Sequence, residues 1–292
     1  MAVQLSGSSE EIHLSGTMAG AAAARRDAFL ARAGKHPLVM GIVNVTPDSF
    51  SDGGRFQEAS AAVAQARRLV EDGADIIDVG AESTRPGHQP VSAEVEQARL
   101  APLLGELVAA IDRPVSVDTS KAAIAGWAAT QGAAFVNDVW GLQRDPAMAD
   151  VAAEAGLGVI IMHNREEVDP GCDIVADMRR FFDHSLKLAA KAGIPLSRII
   201  LDPGIGFGKT RAQNLEALHR LTALRDYDLP VLVGVSRKSL LGPILGDGAD
   251  HRLIGTIAAN LVAAAHGASI FRVHDAAEHV AAFKVFEAIE TA

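Results

Sequence analysis

Ten residues with chemical content stand at or just past the ends of short apolar runs: Asn44, Glu82, Arg85, Asp118, Asn137, His163, Asp202, Lys238, Arg272 and His274. By type they fall into two groups. Asp118, Asn137 and Asp202 offer the carboxylate and amide groups that suit a flat heterocycle with several ring N–H groups and an exocyclic amine. Arg85, Lys238, Arg272 and His274 offer positive charge for phosphate oxygens, and arginine does so bidentately. Asn44, with Asp48 and Asp52 close behind it, supplies hard oxygen donors of the kind Mg2+ takes beside substrate phosphates. Each residue alone has a plain structural reading. Asp118 precedes Thr119-Ser120 and could simply finish a helix N-terminus, and His163 could be a packed histidine at the mouth of a barrel. Polar endings on most of the apolar runs are what argue for one site.

Such a site needs elements that bring distant residues together. Eight runs read as strands: the stretch from Leu38, Asp75–Gly80, Pro114–Asp118, Ala133–Asp138, Leu157–His163, Arg198–Asp202, Pro230–Val235 and Ala268–His274. Helical patterns separate them at Glu58–Asp72, Ser92–Ala110, Ser120–Gln131, Pro146–Ala155, Ile174–Ala192, Asn214–Asp226 and His251–His266, and Ala276–Ile289 closes the chain. Ser120 is the expected cap of its helix and Gly132 the stop. The alternation predicts a single (β/α)8 TIM barrel over residues 37–292, which gathers the C-terminal strand ends on one face. A doubly wound sheet is the competing arrangement, but the chain shows no switch point and no linker. Residues 1–36 form an N-terminal extension. Its first 20 residues are expected to be a poorly ordered tail, and Ala21 to Ala33 a short helix leading to the bottom of the barrel. The charged, aperiodic segment 164–173 reads as a loop long enough to cover part of a site.

Composition limits the function. The chain has 292 residues, 27 basic against 36 acidic, and a net charge of -9, which argues against duplex nucleic acid as partner but not against a small anionic substrate. No run approaches a membrane span, and residues 1–20 lack a secretory pattern. The single cysteine, Cys172, excludes an intrachain disulfide and suits the cytoplasm. Nothing resembles a zinc cluster. Gly204-Ile-Gly-Phe-Gly208 lacks the spacing of a dinucleotide fingerprint.

The motifs together resemble the bacterial dihydropteroate synthase family. The resemblance runs from Leu38 to Ile289 and rests on Asn44-Val-Thr-Pro-Asp-Ser-Phe-Ser-Asp-Gly-Gly54, Glu82-Ser-Thr-Arg-Pro-Gly87, Val117-Asp-Thr119, Asn137-Asp138, Leu201-Asp-Pro-Gly-Ile-Gly-Phe-Gly-Lys209, Ser236-Arg-Lys-Ser239 and Arg272-Val-His274. It implies a homodimeric barrel that joins 6-hydroxymethyl-7,8-dihydropterin diphosphate to 4-aminobenzoate with Mg2+, releasing pyrophosphate and 7,8-dihydropteroate. Carried over by motif, it assigns the pterin to Asp118, Asn137, Asp202 and Lys238, Mg2+ to Asn44, and the leaving diphosphate to Arg272 and His274 with Thr84. It assigns the surroundings of 4-aminobenzoate to Phe50, Arg85, Pro86, Phe207 and Ser239. Asp52 is expected to stabilise positive charge on the methylene as the diphosphate leaves, so Asp52, Lys238, Arg272 and His274 make up the expected catalytic set. The chain departs from the family in having Met162-His163-Asn164 where Met-His-Met is common, and in its long, Ala-rich first 37 residues. The alternatives are a pterin-binding methyltransferase domain, which has no need of a diphosphate clamp, and a pterin-binding scaffold without turnover.

Overall fold

The computed structural model describes residues 9–45, 55–82, 90–246 and 251–292. Eight strands are present: β1 (Leu38–Asn44), β2 (Ile76–Gly80), β3 (Val115–Asp118), β4 (Phe135–Asp138), β5 (Gly158–Met162), β6 (Ile199–Asp202), β7 (Leu232–Val233) and β8 (Ile270–Val273). All pair in parallel in the order β6-β5-β4-β3-β2-β1-β8-β7, and a parallel bridge between Leu201 and Val231 brings the two ends of the sheet together. This is the expected (β/α)8 barrel. The helices are α1 (Ser9–Leu30), α2 (Arg55–Glu71), α3 (Ala93–Leu100), α4 (Leu104–Ala110), α5 (Ala122–Thr130), α6 (Met148–Glu154), α7 (Ile174–Ala192), α8 (Arg211–His219), α9 (Gly242–Leu245), α10 (His251–Ala265) and α11 (Ala276–Glu290).

Strand alternation divides the core in two. Val39, Val43, Ile77, Val79, Val117, Val136, Ile161, Leu201 and Val273 face outward into the layer shared with the helices. Leu38, Met40, Ile76, Phe135, Ile160, Ile200, Leu232 and Ile270 form a separate cluster that fills the barrel's lower interior. Two residues further along each strand, the same inward face reaches the upper end. Ile76 is thus followed inward by Asp78, Phe135 by Asn137, Ile200 by Asp202 and Ile270 by Arg272.

The helix expected over Ser92–Ala110 is two helices, α3 and α4. Pro102 has no N–H to donate to the preceding turn, and its ring crowds the carbonyl four residues back, so the helix stops at Leu100 and restarts at Leu104. Ser120 does not cap α5. Asp145, from beyond β4, accepts the Ala122 N–H at 2.8 Å, and the Thr119 hydroxyl accepts from Lys121 N at 3.2 Å. The helix expected from Asn214 begins at Arg211, because Thr210 and Gln213 form a reciprocal capping box, and it ends at His219 before a 3-10 segment, Leu221–Tyr227. In the extension, α1 begins at Ser9 and is 22 residues long, where a short helix from Ala21 was expected. Its C-terminal part closes the barrel bottom. Phe29 meets Phe135 edge to face at 5.6 Å, the Arg25 guanidinium donates to Val108 O at 3.2 Å, and Arg26 donates to Gly156 O.

Candidate active site

The inward-facing ends of β1, β2, β3, β4, β6 and β8 converge on a buried polar cluster. Strand register accounts for the convergence: Asp118 lies beside both Asn137 and Gly80, and Asp78 lies beside Ser116 and Ile42. Arg272 Nε donates to Asp78 Oδ2 at 2.6 Å, its Nη2 donates to Asp118 Oδ2 at 3.0 Å, and Asn137 Nδ2 donates to Asp78 Oδ2 at 3.2 Å. Asp78 Oδ1, Asp118 Oδ1 and Asn137 Oδ1 are buried without a partner among the described residues. A buried acceptor left unpaired costs about 1–3 kcal/mol, so this cluster is disposed to take ligand donors.

Burial sets the electrostatics. It pushes the Asp118 carboxyl up to about 7 despite the opposing Arg272 charge. It also raises Asp202, against the pull of Lys238 and a 2.8 Å hydrogen bond from Gly204 N. Lys238 is held down to about 8 by the same desolvation, partly offset by Asp202. Burial works to lower Arg272 too, but the Asp78 and Asp118 carboxylates outweigh it and the net shift is upward.

The loop after β6 is fixed by its glycines and by Lys209. Gly204 has φ +64, and a Cβ there would lie 1.9 Å from His163 O. The buried Lys209 ammonium donates to Gly204 O at 2.8 Å and Phe207 O at 3.0 Å, and burial holds it down to about 7. The Phe207 ring faces Lys238, whose Nζ lies 4.5 Å from the ring centroid and donates to Ile205 O. After β7, Arg237 adopts a left-handed φ of +57 and pairs with Asp275, tying this loop to the end of β8. Ser236 Oγ sits 2.9 Å from His274 Nδ1 and fixes that ring, while Ser239 is exposed on the rim.

The structure therefore brings together Asn44, Asp118, Asn137, Asp202, Phe207, Lys238 and Arg272, with Ser239 next to Lys238 on the rim and His274 held by Ser236 at the end of β8. Arg272 stands among the heterocycle-type acceptors, not apart from them as the chemical division into two groups implied. Phe50, Asp52, Thr84, Arg85 and Pro86, and with them Asp48, lie outside the described residues. Glu82 is paired: Lys121 bridges it to the fully buried Glu96, at 2.6 Å from the latter. His163 is a packed histidine. It is buried, with Nε2 3.2 Å from Asp177 and its ring edge-on to Phe181, and burial holds it down to about 3. In the 164–173 loop, Asn164 accepts from Arg165 N at 2.8 Å, and Arg165 reaches Asp177 at 3.4 Å. Sequence reasoning missed Asp78, Glu96, Lys121, Lys209 and Arg237. Only Asp78 carried a usable signal, as an acid within an apolar strand on the same face as Ile76.

Comparison with known proteins defines the class first. Residues 40–274 match the family of pterin binding enzymes. The dihydropteroate synthase of Clostridium beijerinckii is 42% identical over 257 residues, 88% of this chain and 95% of that one. The crystal structure of the Clostridium difficile dihydropteroate synthase in the presence of pteroic acid is 44% identical and superposes with a TM-score of 0.85 over 88% of this chain and 98% of that one. The Xanthomonas albilineans dihydropteroate synthase with 4-aminobenzoic acid is 43% identical, with a TM-score of 0.85 over 89% and 95%. The chain belongs to the dihydropteroate synthase family, transferases of folate biosynthesis.

Proposed function

We infer that the inward-facing strand ends bind 6-hydroxymethyl-7,8-dihydropterin diphosphate at the buried acceptors and direct its diphosphate toward the cationic rim, where 4-aminobenzoate displaces pyrophosphate. The observation that carries this reading is the pair of unpartnered buried acceptor oxygens of Asp118 and Asn137, side by side within a cluster bounded by Arg272. Asp118, Asn137 and Asp202 accept from the heterocycle's N–H groups, and Lys238 donates to its carbonyl side. Arg272 and His274, with Thr84, hold the diphosphate. Phe207 and Ser239 belong to the 4-aminobenzoate surroundings with Phe50, Arg85 and Pro86. The arylamine already has a usable lone pair, so the main demand is stabilisation of charge as the C–O bond opens. Arg272 and His274 meet the negative charge on pyrophosphate, and Asp52 meets the positive charge left on the methylene.

Asn44 suits Mg2+. It ends β1 on the inward face, with its Oδ1 3.7 Å from where a Cβ on Gly80 would lie. Mg2+ keeps several waters and takes most of its remaining ligands from substrate phosphates, so that Asn44 would need to supply only one oxygen. When bound, the ion would neutralise charge on the leaving group.

Two measurements test this division. In calorimetric titrations, Asp202→Ala should weaken the pterin alcohol and the pterin diphosphate alike, by about 1–3 kcal/mol, and leave pyrophosphate unchanged. His274→Ala should weaken pyrophosphate and the pterin diphosphate while leaving the alcohol within a few-fold of wild type. Equal losses of the alcohol in both variants would contradict the division.

The same reading makes the protein a cytoplasmic homodimer. Ile254 and Val262 on α10 and Val285 and Ile289 on α11 are 50–68% exposed, on two helices that pack side by side. Wild type should sediment at twice the chain mass, and Val262→Glu with Val285→Glu should sediment at the chain mass. A monomeric wild type at micromolar concentration would refute the homodimer.

A further inference from the structure

Asp78 is fully buried in the middle of β2, outside the set of residues assigned to either substrate. Its Oδ2 receives two donors at once, Arg272 Nε at 2.6 Å and Asn137 Nδ2 at 3.2 Å. An oxygen that already accepts from a guanidinium N–H can only accept from a second neighbour as well. The Asn137 amide must therefore present its NH2 end to Asp78, and this leaves its carbonyl oxygen as the unpartnered end. The opposite rotamer would set two acceptor oxygens against each other in a buried site, which is costly. Asp118 Oδ1 stands unpartnered on the adjacent strand, in register with Asn137. The same Asp78 oxygen holds the Arg272 guanidinium, whose Nη2 occupies the other Asp118 oxygen.

We propose that Asp78 is a positioning residue that sets the hydrogen-bond polarity of the heterocycle site: it fixes Asn137 as an acceptor and so selects ligands bearing a donor at that position. This rests on the reading that the acceptor cluster holds the pterin. The donor most distinctive of a pterin is its exocyclic amine. The 2-oxo analogue, a lumazine, has an acceptor in that place and would oppose the Asn137 carbonyl. Asp78→Asn keeps the side-chain shape but can either donate or accept, so the Asn137 amide is free to present either end.

The test is a pair of calorimetric titrations, 6-hydroxymethylpterin and 6-hydroxymethyllumazine, into wild type and Asp78→Asn, with chemical unfolding to check each protein. Wild type should prefer the pterin, and Asp78→Asn should narrow that preference at least about tenfold, the effect of roughly one hydrogen bond. A variant that loses affinity for both ligands equally, or for neither, overturns the proposal. If Asp78→Asn does not fold, 15N-asparagine-labelled wild type decides. One Asn137 side-chain N–H protected from exchange before and after pterin addition supports the proposal, and an NH2 that becomes protected only with pterin overturns it. Wild type that binds no pterin refutes the underlying reading and this proposal with it. Wild type that binds pterin, with an unchanged preference in the variant, refutes this proposal alone.

Discussion

At the scale of single residues, Asp118 gives the site a pH dependence of definite sign. Burial pushes its carboxyl up to about 7, so in the free protein it carries a proton through much of the range below that. A heterocycle that donates N–H groups prefers the ionised form, and binding then releases the proton. Affinity for the pterin alcohol should accordingly rise with pH, by up to roughly tenfold per unit below about 7, and turn down above about 8, where Lys238, a donor to the ring, loses its proton. Asp118→Asn should bind more weakly and lose most of the rise below pH 7 while keeping the fall above 8. Titration calorimetry across pH 5.5–8.5 measures this, and a rise below pH 7 that survives undiminished in Asp118→Asn would assign the proton to another group, with Asp202, also raised by burial, the first candidate. The strand-end residues of this site were legible in the sequence because each interrupts an apolar run with a polar one. Asp78 was readable only through strand parity. Lys209 was not legible because its nearest partners are backbone carbonyls of its own loop, which carry no side-chain signal, and Lys121 and Glu96 were not because only the barrel brings their elements together.

At the scale of elements, existence was legible and boundaries less so. Ile174–Ala192 was readable to the residue because Asp173 caps one end and Gly193, in a left-handed conformation, closes the other. The break at Pro102 and the capping box at Thr210 were local signals that the apolar period overrode. The Asp145 cap of α5 comes from a distant loop, so no local pattern could announce it. Helix α1 is the element with the least sequence signal and a clear structural task. Its Phe29 is 3% exposed and covers the bottom layer of the barrel interior, at the end away from the site. Phe29→Ala should cost about 3 kcal/mol in urea unfolding, the usual penalty for emptying a buried aromatic position. Turnover well below the unfolding range should stay within roughly twofold of wild type, since Phe29 packs against the apolar layer at the end of the barrel away from the site. A large fall in turnover at unchanged stability would show that the extension acts on the site.

At the scale of the whole molecule, the parallel barrel explains why one period-two pattern serves both stability and chemistry. Lower inward residues such as Ile76, Phe135, Ile200 and Ile270 make the plug, and the next inward residues on the same strands make the site. No described helix is long and apolar enough to cross a membrane. The central claim is that this barrel joins a pterin to an arylamine with loss of pyrophosphate, and the most direct measurement is product stoichiometry. Purified protein given 6-hydroxymethyl-7,8-dihydropterin diphosphate, 4-aminobenzoate and Mg2+ should form 7,8-dihydropteroate and pyrophosphate in equal amounts, and neither product should accumulate at that rate when 4-aminobenzoate is withheld. Folded protein that binds the pterin diphosphate yet forms no dihydropteroate, or releases pyrophosphate at the same rate without the arylamine, would contradict it.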